Sequence, residues 1–208
     1  MVGTRKFDTD EVLGTALHAF WRDGYTRTSI PQLERETGIG RQSLYLAFGD
    51  KKQLFLQALD RYVDQYIGRS CRILETLPPA EALAAVFDLI FERMDRPENP
   101  RGCLVTNTTL EVEGADPEIE KSVHDHLRRL EEAFRVALRR GVADRSLEPM
   151  ASVEDEALML MAATRGLSVL HRGGYSPEGL VAIRVQSLAR LGLSDISVSS
   201  EMPASASG

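Results

Sequence analysis

Apolar residues recur at three- and four-residue spacings along almost the whole chain, which is the period of an amphipathic helix. The strict alternation of apolar and polar residues that marks a half-buried strand is missing. Most apolar runs follow a capping Asp, Ser or Thr and end at Gly, which are helix start and stop signals. The pattern therefore predicts an all-α fold.

The N-terminal part is predicted to hold four helices, over about residues 8–22, 28–37, 40–48, and 50 to well past 66. Asp8 is expected to cap the first helix, Thr28 and Ser29 the second, and Asp50 the fourth, with Gln53 completing a capping box. Only Thr37-Gly38-Ile39-Gly40 separates the second and third helices. A short glycine-containing turn between two helices is the signature of a helix-turn-helix.

Five further helices are predicted over about residues 81–94, 101–113, 117–140, 152–172 and 177–191. The tail from Ser194, rich in Ser, Ala and Gly, is expected to be disordered. We therefore expect a helix-turn-helix domain over residues 1–67, a larger helical domain over residues 68–193, and a disordered tail over residues 194–208.

Composition and charge narrow the classes of function. Hydrophobic residues make up 43% and charged residues 27% of the chain, which is ordinary for a globular protein. The net charge of −6 belongs entirely to residues 68–208, because residues 1–67 hold nine basic and nine acidic residues. This excludes a polycationic binder but allows one small nucleic-acid contact surface.

The length of the apolar runs and the start of the chain indicate where the protein is located. No stretch approaches the ~20 apolar residues of a membrane span. The start of the chain is polar and basic with no apolar segment behind it, so a cytoplasmic location is expected. The two cysteines, Cys71 and Cys103, are expected to be free thiols.

The third predicted helix carries side chains suited to reading DNA. Leu44 and Phe48 are four residues apart and face the core, so Gln42, Tyr45 and Leu46 project away. In a helix-turn-helix the start of the second helix of the motif enters the major groove. Arg pairs there with guanine and Gln with adenine, at about 1–3 kcal/mol for each bidentate pair, and an apolar side chain contacts the thymine methyl. Hydroxyls, helix N-termini and ammonium groups favour phosphate. The predicted DNA-contacting residues are Thr28, Ser29, Arg41, Gln42, Ser43, Tyr45, Leu46, Lys51 and Lys52.

The order of motifs from Asp23-Gly24-Tyr25 through Ser43-Leu44-Tyr45 to Lys51-Lys52-Gln53-Leu54 resembles the DNA-binding domain of the tetracycline-repressor (TetR/AcrR) family. The resemblance covers about residues 7–59. It implies a homodimeric transcriptional regulator, most often a repressor, that binds a palindromic double-stranded operator and is released by a small effector bound in the C-terminal domain. Two features depart from the family: Gly40 stands where Ser or Thr is usual, and Leu46-Ala47 where polar or aromatic residues are frequent.

The resemblance also implies that the last two long helices form a four-helix bundle with those of a partner copy. The apolar stripes expected to form it are Ala157, Leu160, Met161, Thr164, Leu167 and Ser168 on one helix, and Leu180, Ile183, Ser187 and Leu191 on the other.

A second resemblance centres on Cys103, in Pro100-Arg101-Gly102-Cys103-Leu104. This element is similar to one in a subset of the family whose matching cysteine senses electrophiles or oxidants, which implies a redox or electrophile sensor at Cys103. A cysteine beside Arg101 and near a helix N-terminus can react as thiolate. The other interpretation is that Cys103 is a small apolar side chain packed in the core.

Other classes of function find less support. Enzyme motifs such as G-x-S-x-G, G-x-x-x-x-G-K-[ST] and H-E-x-x-H are missing, so no catalytic residue is predicted. His and Cys do not cluster at zinc spacing, so neither a metal site nor a cofactor is predicted. Arg165, which lies among apolar residues, is expected to have a buried partner or a ligand carboxylate. The alternative to a DNA-binding regulator is a helical adaptor that binds a protein partner instead of DNA.

Overall fold

The computed structural model describes residues 7–112, 114 and 116–193, and these residues form helices and turns without a strand. The predicted all-α fold is confirmed. The helices are α1 (Thr9–Asp23), α2 (Ile30–Thr37), α3 (Arg41–Phe48), α4 (Lys51–Tyr62), a π-helical segment (Val63–Ile67), α5 (Gly68–Thr76), α6 (Pro79–Asp95), α7 (Leu104–Glu111), α8 (Pro117–Asp144), α9 (Val153–Arg172) and α10 (Pro177–Ala189). The tail over residues 194–208, predicted to be disordered, lies outside the described residues.

The N-terminal helices begin and end at the residues that capping chemistry favours. The Asp8 carboxylate accepts a hydrogen bond from the Asp10 N–H, and Asp50 and Gln53 form the predicted capping box. Gly24 and Gly38 end α1 and α2 at φ values of +88° and +72°, where a side chain is strained. These caps hold α1, α2 and α3 around a small core on which α4 also packs.

The chain continues from α4 through the π-helical segment into α5 as one helix over residues 51–76. The sequence predicted that the helix runs past Tyr66, which is correct, but it gave no sign of the π turn. Tyr62 packs edge-on against Trp21 of α1, with ring centroids 4.9 Å apart, and lies 4.8 Å from Tyr66. The N-terminal core is therefore continuous with the rest of the molecule through this helix.

Two helix boundaries in the C-terminal part differ from the sequence prediction. The helix expected from Arg101 begins at Leu104, because Gly102 has a φ of +86° and Cys103 is extended. Gly141 does not end α8 but lies inside it, where Leu147 and Pro79 leave no room for a side chain. Helix α8 therefore reaches Asp144 and covers α5, α6 and α9.

The predicted interface stripes on α9 and α10 need correction. Most of their residues are buried within the chain itself, against α6, α7 and α8, so they are not available to a partner copy. The apolar side chains that remain exposed on these helices and the turn between them are Leu158, Met159, Val169, Tyr175, Val181 and Val185. Both sides of α9 are apolar, and the three- and four-residue period does not distinguish the inward side from the outward one.

Within the described residues, no helix combines the length and apolar character that crossing a membrane requires.

Candidate functional site

Helix α3 presents a compact outward patch. Leu44 and Phe48 are buried, as predicted, and Arg41, Gln42, Tyr45 and Leu46 together line a shallow open groove on the other side. Leu46 is 76% exposed and Tyr45 is 37% exposed. The Arg41 guanidinium lies 5.1 Å from the centre of the Tyr45 ring. The patch thus combines hydrogen-bond donors with apolar surface that nothing in the described chain covers, and Ser43 beside it is half-buried.

The two hydroxyl groups that were predicted to contact DNA at the start of α2 differ in exposure. Ser29 is exposed and caps α2 by accepting a hydrogen bond from the Gln32 N–H. Thr28 is buried and its hydroxyl donates to the Gly24 carbonyl at 2.6 Å. The predicted contact between the Thr28 hydroxyl and DNA is therefore corrected, because that hydroxyl closes the turn after α1 instead.

Both lysines at the start of α4 are engaged within the chain. Lys51 lies over the Tyr25 ring at 4.6 Å and donates to the Thr26 carbonyl at 3.4 Å, and burial lowers the pKa of its ammonium group. Lys52 is 2.7 Å from the Glu118 carboxylate and 3.6 Å from that of Asp116, and the hydrogen bond with Glu118 raises the pKa of Lys52. Neither ammonium group is a free surface charge in this arrangement.

Cys103 lies at the start of α7 with 1% of its surface exposed, inside a cluster of polar side chains. We call Tyr62, Arg93, Cys103, Arg165 and Ser168 the Cys103 cluster. The Arg165 guanidinium donates to the Cys103 sulfur at 3.4 Å. Arg93 donates to the Tyr62 hydroxyl and, at 3.4 Å, to the Ser168 hydroxyl. Both Arg93 and Tyr62 also hydrogen-bond to the sulfur.

The charge balance of this cluster favours a thiolate. Among the described residues, neither Arg93 nor Arg165 is paired with a carboxylate, and both guanidinium groups act electrostatically on the sulfur. Burial alone raises the pKa of Cys103, but Arg165, Arg93 and the Tyr62 hydrogen bond overcome it and lower the pKa to about 6. The predicted neighbour, Arg101, is not among the groups that lower it. The cluster can hold a buried sulfur anion at neutral pH.

A small cavity of about 20 Å³ adjoins the sulfur, and Arg93, Arg165 and Tyr66 help to line it. Tyr66, Leu89 and Arg93 also line a larger polar groove of about 390 Å³ that opens to the surface. The Nε–H groups of Arg93 and Arg165 are buried and have no acceptor. The cavity therefore shares three lining residues with the groove, and two of its lining residues carry unused donors.

Three side chains in or near the Cys103 cluster contact the N-terminal helices: Glu111, Arg172 and Tyr62. Helix α7 ends at Glu111, whose carboxylate accepts hydrogen bonds from the N–H groups of Tyr25 and Thr26, at 2.9 and 2.7 Å, in the turn between α1 and α2. Arg172 donates to the carbonyls of Trp21, Arg22 and Arg101. Tyr62 touches Trp21, as described above.

The sequence predictions found Cys103 but only part of its surroundings. Arg165 has the buried partner that was expected, and that partner is the sulfur of Cys103. Tyr62, Arg93 and Glu111 were missed. Arg93 carried a usable signal, because a charged residue at a core position of α6 needs a partner. Tyr62 and Glu111 carried none, since their roles depend on contacts with helices distant in sequence.

Comparison with known proteins finds a matching family model for each of the two parts of the chain. Residues 12–58 match the family model "Bacterial regulatory proteins, tetR family", and residues 79–177 match the model "Tetracyclin repressor-like, C-terminal domain". The chain is 31% identical over 181 residues to the HTH-type transcriptional repressor ComR of Escherichia coli, covering 85% of each chain. It is 34% identical over 134 residues to the HTH-type regulator YezE of Bacillus subtilis, covering 62% of this chain and 68% of that relative.

A solved structure is similar over nearly the whole length. It is a cysteine mutant of the TetR family transcriptional regulator CifR in complex with a 26-bp double-strand operator DNA. The TM-score is 0.82 at 30% sequence identity, covering 91% of this chain and 99% of CifR. With two family models matched in order and relatives aligned along most of their length, this chain belongs to the tetR family of bacterial transcriptional regulators.

Proposed function

We propose that this protein is a sequence-specific DNA-binding repressor that acts as a homodimer and leaves its operator when a small effector or a thiol-reactive signal acts on its C-terminal domain. The observation that carries the proposal is the outward patch of α3, where Arg41, Gln42, Tyr45 and Leu46 lie exposed on the helix that a helix-turn-helix inserts into the major groove. No catalytic role is part of the proposal.

The proposed base contacts come from α3 and the proposed phosphate contacts from its surroundings. Arg41 and Gln42 supply donors for base edges, and Leu46 supplies an apolar contact for a thymine methyl. Ser29, Ser43 and Tyr45 offer hydroxyls to phosphates. Lys51 and Lys52 contribute only if phosphate replaces their present partners, which are the Tyr25 ring and the Asp116 and Glu118 carboxylates.

The proposed domain division assigns residues 1–67 to DNA binding and residues 68–193 to effector binding and dimerisation. Residue 67 is the last of the π-helical segment, inside the continuous helix over residues 51–76. A division at this point has no flexible linker, so a displacement of α5 acts directly on α4. This supports a mechanism in which changes in the C-terminal domain alter the position of the recognition helix.

The proposed homodimer uses the exposed apolar side chains of α9 and α10. Leu158 and Met159 on α9 and Val181 and Val185 on α10 stay exposed while the opposite sides of both helices are buried. Large apolar side chains that cluster on a surface favour association. A two-fold dimer also matches a palindromic operator, because each recognition helix reads one half-site.

The proposed route for a thiol-reactive signal starts at Cys103 and runs along α7. A change in size or charge at Cys103 acts at the start of this helix, and Glu111 at its other end is bonded to the turn that precedes α2. The protein partner of the adaptor alternative is not favoured, because an exposed recognition helix on a chain of this family serves DNA.

The test is fluorescence anisotropy with duplexes tiled from the DNA that flanks the gene, with competing non-specific DNA, at two salt concentrations. We expect saturable binding to one near-palindromic segment. Tyr45→Ala should weaken it by about tenfold, as expected for loss of a contact of about 1.4 kcal/mol. Leu77→Ala, which shortens a side chain of the same exposure at the end of α5, is the matched control and should bind like wild type. Equal binding by both variants would overturn the contact assignment, and a stable complex with a protein partner but none with DNA would favour the adaptor.

A further inference from the structure

Two buried donors on residues that line the cavity beside Cys103 have no hydrogen-bond acceptor. The volume of this cavity is about 20 Å³, enough for roughly one water-sized group. Arg93 is buried, and its Nε–H and that of Arg165 have no partner among the described residues. Buried donors are rarely left without an acceptor, so two of them beside one small cavity indicate that an oxygen atom belongs there in some state of the protein.

From this arrangement, and resting on the proposed function, we propose that Cys103 is oxidised selectively by hydrogen peroxide or a similarly small hydroperoxide, with Arg93, Arg165 and Tyr62 as positioning residues. The proposal deepens the general idea of a thiol-reactive signal, because it names the class of reagent and the groups that select it.

The reaction is a two-electron oxidation of sulfur. The thiolate attacks the terminal oxygen of a hydroperoxide, so an S–O bond forms as the O–O bond breaks. Sulfur is oxidised to sulfenic acid, and the hydroperoxide is reduced to water or an alcohol. The leaving oxygen departs with the electron pair of the O–O bond and takes up one proton, from the Tyr62 hydroxyl or from water. Guanidinium N–H groups stabilise the negative charge that develops on this oxygen.

Size decides against larger reagents. Cys103 is 1% exposed, and the cavity beside it has a volume of only about 20 Å³. Two of the side chains that line this cavity are packed together, with the Arg93 guanidinium 5.8 Å from the centre of the Tyr66 ring. A reagent little larger than water fits this space, whereas an aromatic disulfide needs the surrounding side chains to move apart.

The product fits the unused donors. The new oxygen on sulfur lies in the cavity, where the Nε–H groups of Arg93 and Arg165 can donate to it. No second cysteine lines the cavity, since Cys71, the other cysteine, lies on α5 beside the Arg129 carbonyl. The first oxidation step therefore gives a sulfenic acid that does not condense to a disulfide within the chain.

The experiment uses the full chain with Cys71→Ser, so that Cys103 is the only thiol. Rates of reaction with hydrogen peroxide and with an aromatic disulfide reagent are measured at pH 7 by intact mass, with dimedone to trap the sulfenic acid. Each rate is divided by the rate of the same protein unfolded in urea. We expect folding to accelerate oxidation by peroxide by about tenfold or more, and to slow the aromatic disulfide by about a hundredfold, because the folded site holds a thiolate but excludes bulk.

Two variants separate the positioning role from mere accessibility. Arg165→Gln should slow oxidation at pH 7 by about tenfold for each unit by which the thiol pKa rises, and raising the pH should restore the rate. Tyr62→Phe keeps the ring against Trp21 and serves if Arg165→Gln does not fold. Folding-induced protection against both reagents, or equal acceleration of both, would overturn the proposal.

Operator binding is measured on the same samples. If the reduced protein binds its operator and peroxide leaves Cys103 unmodified, the oxidant proposal fails while the repressor proposal stands. If peroxide oxidises Cys103 selectively but no operator is bound in either state, the repressor proposal fails and the chemistry at Cys103 stands.

Discussion

Two buried cysteines of the same chain have opposite chemistry. Burial raises the pKa of Cys71, which lies beside a backbone carbonyl, whereas the guanidinium groups of the Cys103 cluster lower the pKa of Cys103 to about 6. At the scale of single residues, neighbours rather than burial therefore decide the direction in which the pKa of each thiol shifts. The sequence identified Cys103 from the residues beside it, but Arg93 and Arg165, which set its charge, come from helices 10 and 62 positions away.

The first prediction concerns stability against pH. The folded pKa of Cys103 lies below its ordinary value of 9.0, so the stabilisation is fully present above pH 9 and is lost as the pH falls towards 6. The free energy of unfolding should fall by as much as about 1.4 kcal/mol per pH unit across this window. Urea unfolding of wild type and Cys103→Ser between pH 6.5 and about 9 measures it.

The difference between the two proteins isolates this effect. Burial lowers the pKa values of His126 and His171, so these histidines reduce the free energy of unfolding only below about pH 6.5. Both proteins contain them, so their effect cancels in the difference. Identical pH profiles for wild type and Cys103→Ser would mean that Cys103 is a neutral thiol in the folded protein.

The second prediction concerns Leu46. Leu46→Ala should weaken operator binding by about fivefold to tenfold, because the side chain is exposed in the free protein and would be covered by DNA. Its melting temperature should not change, since the side chain contributes nothing to the core. Leu110→Ala, which shortens a leucine that is 74% exposed on α7, is the control and should leave affinity intact. A loss of thermal stability in Leu46→Ala would place this residue in a packing role.

Helix α7 is the element that joins the two halves of the proposed mechanism. It has eight residues, with Cys103 immediately before its first residue and Glu111 as its last. A rigid element of about two turns transmits a displacement from one end to the other because its own backbone hydrogen bonds hold its length. Glu111 couples such a displacement to the N-terminal helices, because its carboxylate accepts hydrogen bonds from two N–H groups of the turn before α2.

The third prediction therefore separates binding from control. In Glu111→Gln the carboxylate is replaced by an amide with one acceptor oxygen, so one of the two N–H groups loses its partner or shares the remaining oxygen. We expect the reduced protein still to bind its operator, while the affinity difference between reduced and oxidised protein shrinks by about fivefold or more. The comparison is made by anisotropy against Glu148→Gln, a substitution of an exposed glutamate after α8. An unchanged difference would show that the signal takes another route.

The ends of helices were predictable where residues close in sequence determine them. Asp8, Gly24, Gly38, Asp50 and Gln53 act within a few residues of their own positions, and the helices that they delimit were correctly predicted. The start of α7 was missed because Gly102 adopts its positive φ where its backbone N–H donates to His171, a contact with a distant helix. The π-helical segment was missed because the apolar period on both sides of it is ordinary for a helix.

At the scale of the whole molecule, the fold class followed from the pattern, but the exposed sides of α9 and α10 did not. The predicted stripes on α9 and α10 turned out to face the inside of the chain, and the exposed residues are their neighbours in sequence. Helices with apolar residues on two sides leave this choice to tertiary packing. The pair of helices implied by the family resemblance stays a prediction, and most of the residues predicted for the interface are buried within the chain.

The fourth prediction tests the proposed dimer surface on α9 and α10. Val181→Glu places a charge in the exposed apolar face of α10, where burial against a partner would require its desolvation. We expect monomers by sedimentation and an operator affinity lower by at least about tenfold, because two linked recognition helices bind more tightly than one. Leu110→Glu adds the same charge at an exposed leucine outside this face and should leave the dimer intact. Dimers from Val181→Glu would place the interface elsewhere.

The π-helical segment limits how the two halves of related regulators can be exchanged. A π turn accommodates one more residue than an α turn, so it offsets all later side chains by about 100° relative to an uninterrupted α-helix. Straightening the segment into a regular α-helix with every residue kept would therefore rotate α5 and everything after it by about 100° against Trp21 and α1. Removing one residue, such as the exposed Asp64 or Gln65, would instead give a regular helix that keeps the orientation of α5. A chimaera that joins the DNA-binding part of one relative to the C-terminal domain of another will therefore keep the two parts correctly oriented only when the junction retains both the π turn and its extra residue, or neither. Exchange of halves between such regulators is limited by phase along the shared helix as much as by similarity of sequence.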